Sequence, residues 1–244
     1  MFTAQPAIAN VDLTAPRMIV DDPRIPMSYR ALCQTTNGGF LTNFSLPTSE
    51  PTSDGLADVE CHYLAGIAHN GEAVIQAPDL PDYLVPFSQH QQQYFVFDCQ
   101  QASAEPPIRY IDTEVDQWLT VVDSLTHFLE QLGSKVIDLN PDNELTPLQR
   151  NHYLLVAQGA QLDTLLARYE ADADKEWLFD WLLYFAEHGT PAQQASALTA
   201  YDTQRLYFKR QLPRAKDAQL TALFEQLPHL KDAYHAHQQA WSPL

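Results

Sequence analysis

Basic residues are scarce in this chain: 14 Lys and Arg stand against 31 Asp and Glu in 244 residues, a formal net charge of −17. Residues 1–139 hold five Lys and Arg against 18 Asp and Glu, and residues 140–244 hold nine against 13. Such a field disfavours nucleic acid and anionic membrane as partners and favours a basic protein, whose encounter it accelerates at low salt. Cysteine is nearly absent too. Cys33, Cys61 and Cys99 form no CxxC and leave one over, which argues against a disulfide framework or a zinc site and reads them as small apolar fillers. No apolar run approaches the ~20 residues that cross a bilayer, and Met1 to Val20 lacks a basic start and an apolar core, so a cytoplasmic protein is expected. Missing as well are a Gly-rich phosphate loop, a Gly-x-Ser-x-Gly elbow and a His-Glu-x-x-His pair. The nine histidines are scattered, and His235 and His237, two apart on a helix, point to different faces as a solvated tail does. Neither a cofactor, a metal nor a catalytic site is expected.

What is present begins with Pro26 to Gly39. Pro26 suits the first turn of a helix, and Tyr29, Leu32 and Cys33 share one face at helical spacing. Asn37, Gly38 and Gly39 then stop the helix, because Asn and Gly tolerate left-handed backbone and a second Gly lets the chain reverse into Phe40-Leu41. Further on, a polar turn is expected over Ser88–Gln93, followed by a strand over Tyr94–Asp98 and a second over Ile108–Glu114. Ser124 is a candidate N-cap for a helix whose stripe is Leu125, Phe128, Leu129 and Leu132, with Gly133 at its end.

The order and spacing of these pieces over residues 24–133 resemble the SUKH superfamily, which includes fungal regulators of cell-wall glucan synthesis and many bacterial immunity proteins. The resemblance rests on the Pro-x-x-Tyr helix with Asn37-Gly38-Gly39, the strand ending in Asp98, the strand running from Ile108 towards Glu114, and the Ser124 helix. It implies an α+β fold, a mostly antiparallel sheet with helices packed against it. The family's Asp and Gly before the central strand are replaced here by Ser88 to Gln93, so a longer loop is expected.

Beyond Asp138–Glu144, the best boundary, the pattern turns helical, giving residues 1–139 as the SUKH-like domain and residues 140–244 as an all-α extension. Thr146-Pro147 and Thr190-Pro191 are helix starts of the same form, and Gly159 interrupts the first helix. Their spacing lies in the range of paired-helix repeats, but identity beyond the cap is too slight to support one. Trp177, Leu178, Trp181, Leu182 and Phe185 recur at helical spacing and read as core rather than as a ligand groove.

For function, the resemblance implies protein binding, and for bacterial members the neutralisation of a cognate toxin, often a nuclease. The candidate partner-binding residues are Asp79, Asp82, Glu105, Asp112, Glu114 and Asp116, taken as one acidic face against a basic toxin surface; Glu114 matches an acidic position typical of the family. Two other readings stand beside it. One is a regulatory scaffold of the fungal type. The other is an enzyme built on Asp112, Glu114 and Asp116, whose alternation on extended chain would align two or three carboxylates. Without a Gly-bounded calcium loop or a nucleophile constellation, the enzyme is the weakest of the three.

Overall fold

A computed structural model describes residues 2–3, 18–69, 72–135, 137 and 144–241. Except for Glu144, the boundary stretch Asp138–Glu144 lies outside them, as does most of Met1–Val20. The chain forms two units, one within residues 13–136 together with residues 2–3, the other within residues 137–244.

In the first unit β1 (Phe2–Thr3) precedes α1 (Met27–Thr35), and Pro26 stands at the helix N-cap. Tyr29 is fully buried; its hydroxyl donates to the Ala65 carbonyl (2.5 Å) and its ring meets Phe97 edge-on at 5.2 Å. The Asn37-Gly38-Gly39 turn leads into β2 (Gly39–Leu41), which pairs with β1 and with β5 (Tyr63–Leu64). Between them β3 (Ser45–Pro47) and β4 (Asp58–Glu60) form a two-stranded ladder. Asn37 acts as a short piece of strand: its amide donates to the Ile67 carbonyl (3.1 Å) and its carbonyl accepts the Ile67 N–H (2.8 Å).

A four-stranded antiparallel meander follows, β6 (Leu84–His90), β7 (Gln93–Asp98), β8 (Ile108–Asp112) and β9 (Gln117–Val122), paired in that order. After it, α2 (Leu125–Gln131) starts where Ser124 Oγ accepts the His127 N–H (3.3 Å). Phe128 on α2 lies 5.5 Å from Phe87 and 5.8 Å from Phe95, and Phe87 packs 4.5 Å from Phe97. The core is this aromatic cluster, enclosed by the meander, α1 and α2. Gly133 then bonds back to Ser45 (2.8 Å), tying the end of α2 to β3.

Two expectations are corrected here. The polar turn Ser88–Gln93 is mostly strand: β6 continues to His90, which pairs with Gln93, so the connection is only Gln91-Gln92 and is not a longer loop. Gln91 takes a left-handed φ of +55°, and the Gln89 side chain donates to the Gln91 carbonyl (3.0 Å) and to Tyr94 Oη (3.2 Å), holding a turn that glycine usually makes. The second strand stops at Asp112 instead of continuing to Glu114, and residues 113–116 form a turn into β9.

Buried His62 and half-buried His90 join β6 to the β4–β5 segment. The His62 ring stacks on Phe44 at 5.8 Å and meets His90 edge-on at 5.1 Å, and His62 Nε2 lies 3.4 Å from Glu60 Oε2. Burial holds His90 below the ordinary imidazole range, against the opposing pull of Glu60. Glu60 also shares Lys135 with Asp58, each at 2.9 Å. Because folding lowers the His90 value, the unfolded chain protonates first. Its stabilising contribution is therefore complete above about pH 6.5 and is lost as pH falls below that value. Hydrogen bonds from Lys135 and Ser45 hold Asp58 below the usual carboxylate range against burial, so its contribution disappears only in more acidic solution. Urea titrations at about pH 7.5 and about pH 5.5 are expected to show a drop in midpoint that His90→Gln reduces; an unchanged drop in that variant would place its origin elsewhere.

The second unit is helical throughout its described part: α3 (Pro147–Val156), α4 (Ala160–Arg168), α5 (Lys175–His188), α6 (Pro191–Tyr207), α7 (Arg214–Gln226) and α8 (Lys231–Trp241), with a short 3-10 turn at Lys209–Gln211. Thr146 with Gln149 and Thr190 with Gln193 form reciprocal capping boxes, each satisfying two orphan backbone N–H groups. Trp177, Leu178, Trp181, Leu182 and Phe185 are all buried, which makes the aromatic run core. Buried Asn151 on α3 accepts from both indoles of α5, Trp177 Nε1 at 2.7 Å and Trp181 Nε1 at 3.1 Å.

Candidate functional site

The meander decides which acids can act together. In an antiparallel hairpin sheet, successive connections lie at opposite ends of the strands, and five residues of β8 separate them by about 15 Å. Asp82 and Glu105 sit at the end where β6 starts and β7 passes to β8, whereas Asp112, Glu114 and Asp116 sit at the other end, between β8 and β9. The six acids proposed as one face therefore belong to two.

The first end carries cations as well as acids. Arg24 pairs with Asp22 (2.6 Å) and donates to the Asp82 carbonyl, and Arg30 pairs with Asp21 (2.7 Å). The hydrogen bond from Arg24 holds the Asp22 carboxyl below its ordinary range. Glu105 accepts from Ser28 Oγ (2.9 Å), and Asp79 is exposed in the turn before β6.

The second end differs. Asp112 is only 5% exposed: its Oδ1 accepts the Glu114 N–H (3.0 Å) and its Oδ2 accepts from Gln93 Nε2 (3.0 Å). It builds the turn, and both its oxygens are engaged there. The extended alternation of Asp112, Glu114 and Asp116 therefore ends at Asp112. Asp116 takes a left-handed φ of +54°, which Asp tolerates better than most residues, and its carboxylate accepts Trp118 Nε1 (2.9 Å). Glu114 stays exposed.

Gln117, the first residue of β9, fastens a second loop to this turn. Its carbonyl accepts the Ser53 N–H (2.9 Å) and its amide donates to the Pro51 carbonyl (3.0 Å). That loop closes on itself through Thr52 N–H to the Leu56 carbonyl (2.8 Å) and Leu56 N–H to Thr52 Oγ1 (3.1 Å), with Gly55 at φ +74°. Burial, then the nearby Asp112 and Asp54 charges, push the Tyr110 hydroxyl upward, a consequence of both loops meeting above β8. The two loops expose Glu50, Asp54, Glu114 and Asp116, and they hold Leu56 and Val115 48% and 51% exposed. Residues 48–57 and 112–120 contain no Lys or Arg. Glu50, Asp54, Leu56, Val115 and Gln117 were not marked by sequence reasoning. Asp54-Gly55 is a turn signature, but nothing local in the sequence reveals that Gln117 brings that turn beside Glu114.

Among the described residues no group of three or more His, Cys, Asp or Glu could hold a metal ion, and no helix is long and apolar enough to cross a membrane. All three cysteines are free, and burial pushes the Cys61 thiol up to about 12.

Residues 22–129 match the family model described as SMI1-KNR4 cell-wall, SUKH_6. The match runs from the loop before α1 into α2, including both loops of the acidic surface. Neither a curated protein nor a solved structure matches the chain.

Proposed function

We propose that this protein, whose residues 22–129 match the SUKH family model, is a non-enzymatic binding module: an immunity protein that captures and neutralises a cognate toxin of basic surface. Supporting this reading above all is the surface at the β8–β9 end, four exposed carboxylates around two exposed aliphatic side chains with no cation in either loop. Exposed carboxylates with no neighbouring cation in their loops raise the encounter rate with a basic protein. Leu56 and Val115 supply apolar contact that holds the complex once water is excluded. A nuclease is the kind of toxin whose substrate-binding surface carries the complementary charge. Residues 1–139 are the binding domain in this proposal and residues 140–244 a separate helical extension. In this proposal Glu114 and Asp116 are docking residues, joined by Glu50 and Asp54, while Asp79, Asp82 and Glu105 lie towards the opposite end, where Arg24 and Arg30 stand.

Affinity capture from native lysate tests the proposal, using the full chain and a Glu50→Lys/Asp54→Lys/Glu114→Lys/Asp116→Lys chain as baits. A basic protein is expected on the first bait, released by salt and absent from the second. Identical captured sets on both baits would remove this surface from the account.

A further inference from the structure

The whole-chain charge conceals a basic corner in the helical unit. Five of the chain's 14 Lys and Arg fall between Asp202 and Asp217, with no acid among them: Arg205, Lys209, Arg210, Arg214 and Lys216. Two are committed to internal contacts. Arg205 pairs with Asp217 (2.6 Å) and lies over the Trp241 ring, and Lys216 bridges Glu176 (2.7 Å) and Asp180 (2.8 Å). Lys209, Arg210 and Arg214 are exposed and make no ion pair among the described residues. Arg214 is also the first residue of α7, where the helix dipole disfavours a cation, so its position brings no local stabilisation. Beside these charges, Tyr207 is 77% exposed and Leu206 42% exposed, at the end of α6. Tyr and Arg are the residue types that dominate protein interfaces.

The complementary chemistry is present in the same sequence. The loops at the β8–β9 end carry exposed Glu50, Asp54, Glu114 and Asp116 with Leu56 and Val115. We propose that the Leu206–Arg214 corner docks on the acidic loops of a second copy of this chain, setting Lys209, Arg210 and Arg214 against the carboxylates and Tyr207 and Leu206 against the two aliphatic side chains. The net charge of −17 does not forbid this. At physiological salt charges interact over only about 8 Å, so the pairs at the contact outweigh the distant excess. A single-stranded nucleic acid is the less suited occupant, since its uniform phosphate charge leaves Leu206 without an apolar partner and meets a strongly acidic protein. The contact is heterologous, one surface against a different one, and it covers the surface assigned to the toxin; self-association and toxin capture then compete.

Sedimentation velocity of the full chain over a concentration series, at about 50 mM and about 500 mM salt, tests this. Association beyond the monomer is expected at low salt and is lost at high salt. Both Arg210→Glu/Arg214→Glu and Glu114→Lys/Asp116→Lys should weaken it tenfold or more, and the chain carrying all four reversals should recover it. The first of these variants must keep capture of the basic partner, which separates failure of this contact from failure of the toxin reading. Monomer at every concentration, no recovery in the fourfold variant, or binding of an oligothymidylate of about 20 nucleotides that is tighter than self-association would overturn the proposal.

Discussion

Replacing Gly38 by alanine destabilises the first unit by about 3 kcal/mol or more. Gly38 sits at φ +82°, and a Cβ there would lie 2.4 Å from the Gly66 nitrogen and 2.9 Å from the Leu64 carbonyl oxygen. Both obstacles are backbone, so no rotamer change relieves them. Moving them apart would break the pairing of Asn37 with Ile67 and disturb β5, whose neighbour Ala65 receives the Tyr29 hydroxyl. Gly55 is the control. Its φ is +74°, but a Cβ there meets nothing within 4 Å, so Gly55→Ala carries only the left-handed penalty of about 1 kcal/mol. Denaturant unfolding of the two variants checks the difference; equal losses would show that the close approach at Gly66 has no energetic weight.

Asn151→Leu should cost the helical unit about 2–4 kcal/mol. Leucine has the same branched outline and is the larger side chain, so a cavity is not the cause. It removes the oxygen that accepts from Trp177 and Trp181, leaving two indole N–H groups in a site where Asn151 itself is 1% exposed. Each donor then bears the desolvation cost without its bond. Thermal unfolding followed by tryptophan fluorescence reads the loss. A melting temperature equal to that of the wild type would mean that the indoles find other acceptors.

Features encoded over a few residues were legible in the sequence. Pro26 with Tyr29, the Asn37-Gly38-Gly39 turn, the Ser124 cap, and the Thr146-Pro147 and Thr190-Pro191 helix starts each depend on residues within four positions or on a backbone conformation that few residue types adopt. The alternating run at Ile108 identified β8 for the same reason. Its end did not follow, because Asp112, Glu114 and Asp116 continue the alternation while the Asp112 carboxylate folds back onto the Glu114 N–H and starts a turn. β9 was concealed by that reading, although Trp118, Thr120, Val121 and Val122 are good strand residues. The short strands β3, β4 and β5 are two or three residues long and leave no periodicity. The acidic surface was legible only in part. Composition located the acid in the first half of the chain, but long-range pairing, above all the two bonds from Gln117 to Pro51 and Ser53, determines which acids share a surface.

The association rate between the full chain and its captured basic partner, measured across ionic strength by stopped-flow fluorescence, tests the acidic-surface account most directly. For the wild type the rate should fall steeply as salt rises, since screening removes the steering of Glu50, Asp54, Glu114 and Asp116. The variant with all four reversed should associate at least about tenfold more slowly at low salt and show a flat or inverted salt dependence. Equal rates and equal salt slopes for the two chains would contradict the account and move the binding surface elsewhere on the molecule.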